Sequence, residues 1–134
     1  MTDLHTGQKT RPLGITMGDA AGIGPEIIVK LHAKGLSAPC VVYGDMPSLQ
    51  RAAKALNSAV KIIALDSVDE LNHAHLLHLA HGPCMYVRPT FPSLPETLAL
   101  GSVDARAGQA AYDALCMAID DAQLRRVDER LKDL

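Results

Sequence analysis

The chain has no tryptophan, one phenylalanine and three tyrosines among its 134 residues. That is too little aromatic surface for the stacking platforms of a single-strand nucleic-acid binder. Neither charge sign is in strong excess: 13 basic residues face 15 acidic ones, a formal charge of −2. Nothing in that balance attracts nucleic acid or an anionic membrane. No span approaches the ~18 apolar residues that crossing a bilayer requires. The polar stretch Met1–Arg11 has no apolar core of a secretory signal. The three cysteines, Cys40, Cys84 and Cys116, are odd in number and form no Cys-x-x-Cys. They read as small buried hydrophobes in a reducing compartment, not as a disulfide framework or a catalytic thiol. Also missing are the G-x-G-x-x-G fingerprint, the P-loop Gly-Lys-Ser/Thr and a nucleophile elbow around Ser93 or Ser102. The expectation is a soluble, cytoplasmic chain with no nucleic-acid and no membrane partner.

What is present suffices for a core. Apolar residues make up 48% of a chain of one domain's length. The most informative stretch runs from Gly14 through Thr16, Met17, Gly18, Asp19, Gly22, Ile23, Gly24 and Pro25 to Ile28. Ile15 and Met17 belong to a short apolar strand. Gly18, Gly22 and Gly24 permit positive φ and close backbone approach. Pro25 suits the first helical position, where no N–H is needed, and Glu26 suits the positive end of the helix dipole. Such a turn aims free N–H groups beyond the strand end. By residues alone it is equally a cofactor-side turn or a tight connection with no ligand. Asp19 is predicted to brace the turn through its carboxylate, a structural role.

Periodicity predicts strands at 12–17, 40–45, 60–65 and 84–88. Helices are predicted at Pro25 to about Ala33, Pro47 to Leu56, and from an Asp104 N-cap to at least Ala122. Ile27, Ile28 and Leu31 are expected to face a core in the first helix. Leu49, Ala52, Ala53 and Leu56 are expected to do so in the second, and Ala111, Leu115, Ala118, Ile119 and Ala122 in the third. Val127, Leu131 and Leu134 continue that rhythm, so the tail prolongs the helix, with Asp121 and Arg125 paired. Asp66–His81 reads mostly as loop. Thr90–Leu98, with Pro92 and Pro95, reads as irregular. Alternation of strand and helix implies right-handed crossovers. The fold class is therefore α/β, three-layer, with a mostly parallel sheet.

Other constellations have plainer readings. Of His73, His75, His78 and His81, the last three are spaced to gather on one side of a helix, as Zn²⁺ or Ni²⁺ ligands would. Without a thiolate or carboxylate on that stripe they are expected not to converge. Arg88 and Arg106 are phosphate-type residues by chemistry but are placed as surface or packing residues. Asp69-Glu70, Asp120-Asp121 and Asp128-Glu129 are adjacent pairs, which a helix sends to different sides, so they read as solvated. No catalytic residue and no metal ligand is assigned within the chain.

The string Ile15-Thr16-Met17-Gly18-Asp19, followed by Ala21-Gly22-Ile23-Gly24-Pro25-Glu26, closely resembles the start of the 4-hydroxythreonine-4-phosphate dehydrogenase family of vitamin B6 (pyridoxine) biosynthesis. That family is related to the isocitrate and isopropylmalate dehydrogenases. A second stretch, Leu100-Gly101-Ser102-Val103-Asp104-Ala105-Arg106-Ala107-Gly108-Gln109-Ala110-Ala111-Tyr112, is similar to the family's later helix start. Ala20 departs from the proline usual there. The resemblance runs from about residue 12 to about 122.

It implies the N-terminal part of an isocitrate/isopropylmalate dehydrogenase-like fold, with 1–11 as a disordered lead-in and 123–134 as an off-family helical tail. It implies an NAD-dependent oxidative decarboxylation assisted by a divalent metal (Mg, Zn or Co) in a homodimer. The substrate is a phosphorylated hydroxy acid such as 4-phosphohydroxy-L-threonine or, in relatives with the Met-Gly-Asp variant, 4-phospho-D-threonate or 4-phospho-D-erythronate. Gly22, Ile23 and Gly24 match the cofactor-side turn. The family's metal histidines and phosphate-binding residues lie past the resembling stretch. This chain alone is thus expected to bind neither NAD nor a metal and to be inactive. The alternative is a non-catalytic truncated or frame-shifted product serving as scaffold or interaction module.

Overall fold

Four parallel strands form one sheet in the order β1-β2-β4-β3. They are β1 (Leu13–Thr16), β2 (Cys40–Gly44), β3 (Lys61–Ala64) and β4 (Cys84–Pro89). The structure, a computed structural model, describes residues 11–36, 38–71, 83–124 and 127. Three helices accompany the strands: α1 (Gly24–Lys34), α2 (Met46–Ala55) and α3 (Ala105–Gln123). Each strand and helix expected from periodicity is present, with ends shifted by a residue or two. The irregular reading of Thr90–Leu98 also holds, since no helix or strand occupies it. The lead-in and the histidine run at 73, 75, 78 and 81 lie outside the described residues.

The strand composition explains the sheet. β2 reads Cys-Val-Val-Tyr-Gly and is buried at every position, as a central parallel strand must be. Its register sets Ile15 opposite Val42, and Tyr43 opposite Arg88. Successive side chains point to opposite faces. Val42, Met85 and Val87 join Ile28, Val29, Leu49, Ala52 and Ala53, so α1 and α2 cover one face. Val41, Tyr43 and Tyr86 join Ala114 and Ala118, so α3 covers the other. The outcome is the expected three layers. Fully burying one such Val, Leu or Met side chain is worth about 1.5–3 kcal/mol.

Which helix faces are buried differs from the periodicity reading. In α1 the buried positions are Pro25, Ile28, Val29 and His32. Ile27 and Leu31 point outward in line with Ile23. In α3 the buried positions are Ala107, Ala110, Ala114, Ala118 and Asp121, while Leu115 and Ile119 are exposed beside Tyr112. The reason is steric. A row of alanines lets the helix axis approach the sheet closely, whereas a row of Leu and Ile on the same side would hold it away. Summed hydrophobicity favours the larger residues and misplaces the buried stripe.

α3 ends at Gln123, and the Leu124 N–H closes back on the Asp120 carbonyl at 3.0 Å. Leu124 is the C-cap of α3, and the tail whose spacing at Val127, Leu131 and Leu134 suggested a longer helix lies, apart from Val127, outside the described residues. Val127 is fully buried in the cluster on the α3 side. Arg125, the expected partner of Asp121, lies outside the described residues. Within the stretch read as loop, Val68–Glu70 forms a 3₁₀ turn with a capping box between Ser67 and Glu70.

Candidate functional site

The strand-to-helix turn after β1 sits at the carboxyl edge of the sheet. Met17 is anchored there by its N–H to the Tyr43 carbonyl at 2.9 Å. Gly18 follows at φ +77°, a conformation that side chains disfavour. Asp19 then folds the chain back on itself. Its Oδ1 accepts the Ala21 N–H at 2.8 Å, and its carbonyl accepts the Gly22 N–H at 3.0 Å. The bracing role expected of Asp19 is what the geometry shows. Ala20, at the position that departs from the family pattern, is buried.

Gly24 opens α1 against the strand end. A Cβ at Gly24 would collide with the Met17 carbonyl oxygen, so only glycine allows the helix to start this close. Pro25 occupies the first helical turn, and no side chain caps the helix. Among the described residues, no acceptor receives the N–H of Gly18, Ile23 or Gly24. Gly22 differs from its two neighbours, because its N–H is already used by Asp19. Ile23 is 71% exposed, so the outer face of the turn is bare. A helix N-terminus with free N–H groups favours a negatively charged or carbonyl-bearing ligand.

The two stretches that carried the family resemblance meet here. The Gly101 N–H donates to the Ala21 carbonyl at 2.7 Å, across 80 positions of sequence. Gly101 has φ +77°, and Ser102 Oγ donates to the Ala99 carbonyl at 2.7 Å. Asp104 caps α3 by accepting the Arg106 N–H at 2.8 Å. The Arg106 fork returns to the same carboxylate, with Nε to Oδ1 at 3.1 Å and Nη2 to Oδ2 at 2.8 Å. Those bonds lower the Asp104 carboxyl to about 2. Arg106 is thereby committed to its own helix cap. Arg88 is committed as well, because its Nη1 donates to the Leu65 and Asp66 carbonyls and ties β4 to the end of β3. Both arginines hold structure, as the sequence suggested.

Two buried carboxylates escaped the sequence reading. Asp45, taken there as the last residue of a strand, is the N-cap of α2 and fully buried. Its Oδ2 accepts the Ser48 N–H at 3.0 Å and the Ser48 hydroxyl at 2.6 Å. Its Oδ1 accepts the Leu94 N–H at 2.8 Å, which pins the segment following β4 over the end of β2. The signal available in sequence was Asp-x-x-Ser before an apolar helix. Asp121, expected on a solvated face, is buried and accepts the Tyr43 hydroxyl at 2.7 Å. No local signal distinguishes it from Asp120.

The cysteines behave as read. Cys40 and Cys84 are buried, Cys116 is half-buried, and none of the three forms a disulfide. Burial pushes the Cys40 thiol up. Burial, then Cys84, pushes the Tyr86 hydroxyl up to about 12, so neither group ionises near neutral pH. No three His, Cys, Asp or Glu side chains gather as a metal site among the described residues. No helix among them is long and apolar enough to cross a membrane.

Known proteins share this fold and much of this sequence. The chain is 42% identical over 108 residues to the D-threonate 4-phosphate dehydrogenase of Salmonella typhimurium, a match covering 78% of this chain and 31% of the relative. It is 36% identical over 110 residues to the 4-hydroxythreonine-4-phosphate dehydrogenase of Beijerinckia indica, covering 81% of this chain and 30% of the relative. A crystal structure of a 4-hydroxythreonine-4-phosphate dehydrogenase from Burkholderia phymatum superposes with a TM-score of 0.77 at 29% identity, over 90% of this chain and 35% of that one. The chain thus spans less than a third of the length of the two sequence relatives. No protein-family model matches it.

Proposed function

By sequence and by fold the chain belongs to the 4-hydroxythreonine-4-phosphate dehydrogenase family over the stretch it shares with it, and we propose that it supplies that enzyme's cofactor-side turn. The activity proposed for the whole enzyme is NAD-dependent oxidation and decarboxylation of a 4-phosphorylated hydroxy acid, with a divalent metal assisting. The substrate class is that of 4-phosphohydroxy-L-threonine or 4-phospho-D-threonate. Its setting is a cytoplasmic homodimer.

One observation carries the reading: the Ile23 and Gly24 N–H groups lie free at a bare helix N-terminus outside the carboxyl edge of a parallel sheet. Nicotinamide has a carboxamide to offer such donors, and when bound it supplies the hydride acceptor. Gly22, Ile23 and Gly24 hold the backbone against it. Gly24 contributes by the close approach to Met17, and Asp19 keeps the turn shaped. The metal and the substrate phosphate fall to residues that the family places after the shared stretch. Residues 1–134 by themselves are therefore proposed to be inactive.

The test is a titration of the ¹⁵N-labelled chain with NAD⁺ carried to high excess, because the sequence predicts no stable NAD complex of this chain by itself and the turn contributes only one edge of the site. The Ile23 and Gly24 amide resonances should move, while that of Gly35, on the far side of α1, stays. Unmoved turn amides at saturating NAD⁺ would remove the cofactor role.

A second reading has its own support. Ile23, Ile27 and Leu31 on α1, and Tyr112, Leu115 and Ile119 on α3, leave apolar rows facing outward. Such rows suit a non-catalytic interaction module. Binding of a partner to these rows without any NAD⁺ response would favour it.

A further inference from the structure

We propose a second ligand site, for a small phosphate monoester, in the groove between α2 and the Pro95–Glu96 corner. Among the described residues, β2 leads into α2 on one face, while the chain leaving its neighbour β4 packs Leu94 and Leu98 on that same face before α3, from Ala114 onward, covers the other. In open α/β sheets ligands enter the crevice outside the carboxyl ends of the strands. Here the segment after β4 is pinned across the crevice by the Leu94–Asp45 bond. What remains open on the α2 side is a groove of about 350 Å³, within the range of small-molecule sites.

Its lining is cationic on one wall. Gln50 and Arg51 are neighbours on one turn of α2 and Lys54 is on the next, with Arg51 and Lys54 at i,i+3 and therefore side by side. Arg51 is held in place rather than waving in solvent. Its Nη1 donates to the Glu96 carbonyl at 3.0 Å and the Leu98 carbonyl at 3.2 Å. The bonds consume one nitrogen and leave Nε and Nη2 for an oxyanion, the geometry in which guanidinium recognises phosphate. Neither Arg51 nor Lys54 forms an ion pair among the described residues. The opposite wall carries Glu96, a carboxylate suited to accept a ligand hydroxyl and hostile to a second phosphate. Two cations against one anion match a monoester bearing hydroxyls, and disfavour a polyphosphate.

The site is distinct from the turn at Ile23 and Gly24 and does not depend on the dehydrogenase reading. It is tested by titrating the labelled chain with glycerol 3-phosphate, with glycerol and sodium sulfate at matched ionic strength as controls. The amides of Gln50, Arg51 and Lys54 should shift saturably with glycerol 3-phosphate, and those of Ile23 and Gly24 should not. Lys54→Gln, which removes no bond of the fold, should weaken binding about tenfold, the effect of one lost charge-assisted contact. Glu96→Gln should weaken glycerol 3-phosphate more than inorganic phosphate. An equal response to sulfate, or unchanged affinity in Lys54→Gln, would overturn the site. Inorganic phosphate binding as tightly as glycerol 3-phosphate would overturn the assignment of an ester.

Discussion

The hydroxyl of Tyr43 in the central strand β2 donates to Oδ2 of Asp121 near the end of α3, 78 residues later, at 2.7 Å. The bond fixes how far α3 slides along the sheet and gives a buried carboxylate a donor. Tyr43→Phe should cost about 1.5–3 kcal/mol, the range for a bond to a charged group. Asp121→Asn, which keeps an acceptor oxygen, should cost less. Urea unfolding of both single variants and the double variant measures the coupling. Additive losses would show that the two residues act independently.

Asp45→Ala removes a helix cap and the tether of the segment after β4 together. The expected loss is about 2–4 kcal/mol, combining an N-cap with a buried donor left unmet. Ser48→Ala leaves the Leu94 bond intact and should lose less than half as much. Hydrogen exchange at Leu94 separates the effects: it should accelerate in Asp45→Ala and stay slow in Ser48→Ala.

The glycines divide sharply. Gly24→Ala pushes a methyl into the Met17 carbonyl and should destabilise by about 1–3 kcal/mol, as overpacking does. Gly108 lies inside α3 with open space where a Cβ would stand. Gly108→Ala should therefore stabilise by about 0.5–1 kcal/mol. Thermal unfolding of the pair checks both signs at once.

Asp104 couples the α3 cap to pH. Its carboxyl is lowered from 3.8 to about 2 in the folded chain, first by the Arg106 side chain and then by the Arg106 N–H. The unfolded chain takes up this proton first, so the contribution is present above pH 3.8 and drains away as the pH falls through about 2. The pair is on the surface, so added salt should shrink the effect. In Arg106→Gln the part of the acid dependence that salt suppresses should diminish. An acid unfolding curve identical to that of the unaltered chain would discount the pair.

Residues 1–134 should reduce no NAD⁺ with 4-phosphohydroxy-L-threonine or 4-phospho-D-threonate, with Mg²⁺, Zn²⁺ or Co²⁺ present. Metal stabilisation of the transition state is worth several kcal/mol, and each ~1.4 kcal/mol is tenfold in rate. The outward rows on α1 and α3 should also make the chain associate as concentration rises, visible by sedimentation. Leu115→Lys with Ile119→Lys should reverse that association without lowering stability. Metal-dependent NADH formation by the chain alone would mean that catalytic residues lie within it.

By itself, the sequence determined the parts whose causes are local. The apolar runs at Cys40–Gly44 and Cys84–Pro89 imply buried parallel strands, because they are too short for helices and are bounded by Pro39, Gly44, Pro83 and Pro89. Asp104 directly ahead of the long alanine-rich periodic run from Ala105 is a local N-cap signal. The turn from Gly18 to Pro25 names its own shape, since only glycine at Gly24 clears the Met17 carbonyl.

Only the tertiary structure decided what depends on a partner distant in sequence. Periodicity places Ile27 and Leu31, or Leu115 and Ile119, inward, because it weighs hydrophobicity and not the distance at which a helix can pack. Alanines at 107, 110, 114 and 118 win that competition through close approach. Asp120 and Asp121 are the same residue type one step apart, yet one is exposed and the other buried, because Tyr43 meets only Asp121. Asp45 likewise reaches Leu94, and Gly101 reaches Ala21, across spans that no window of sequence contains. Those contacts bring the two family-like stretches to one edge of the sheet. They arise from packing and backbone hydrogen-bond satisfaction, which act through space and leave no trace in the order of residues.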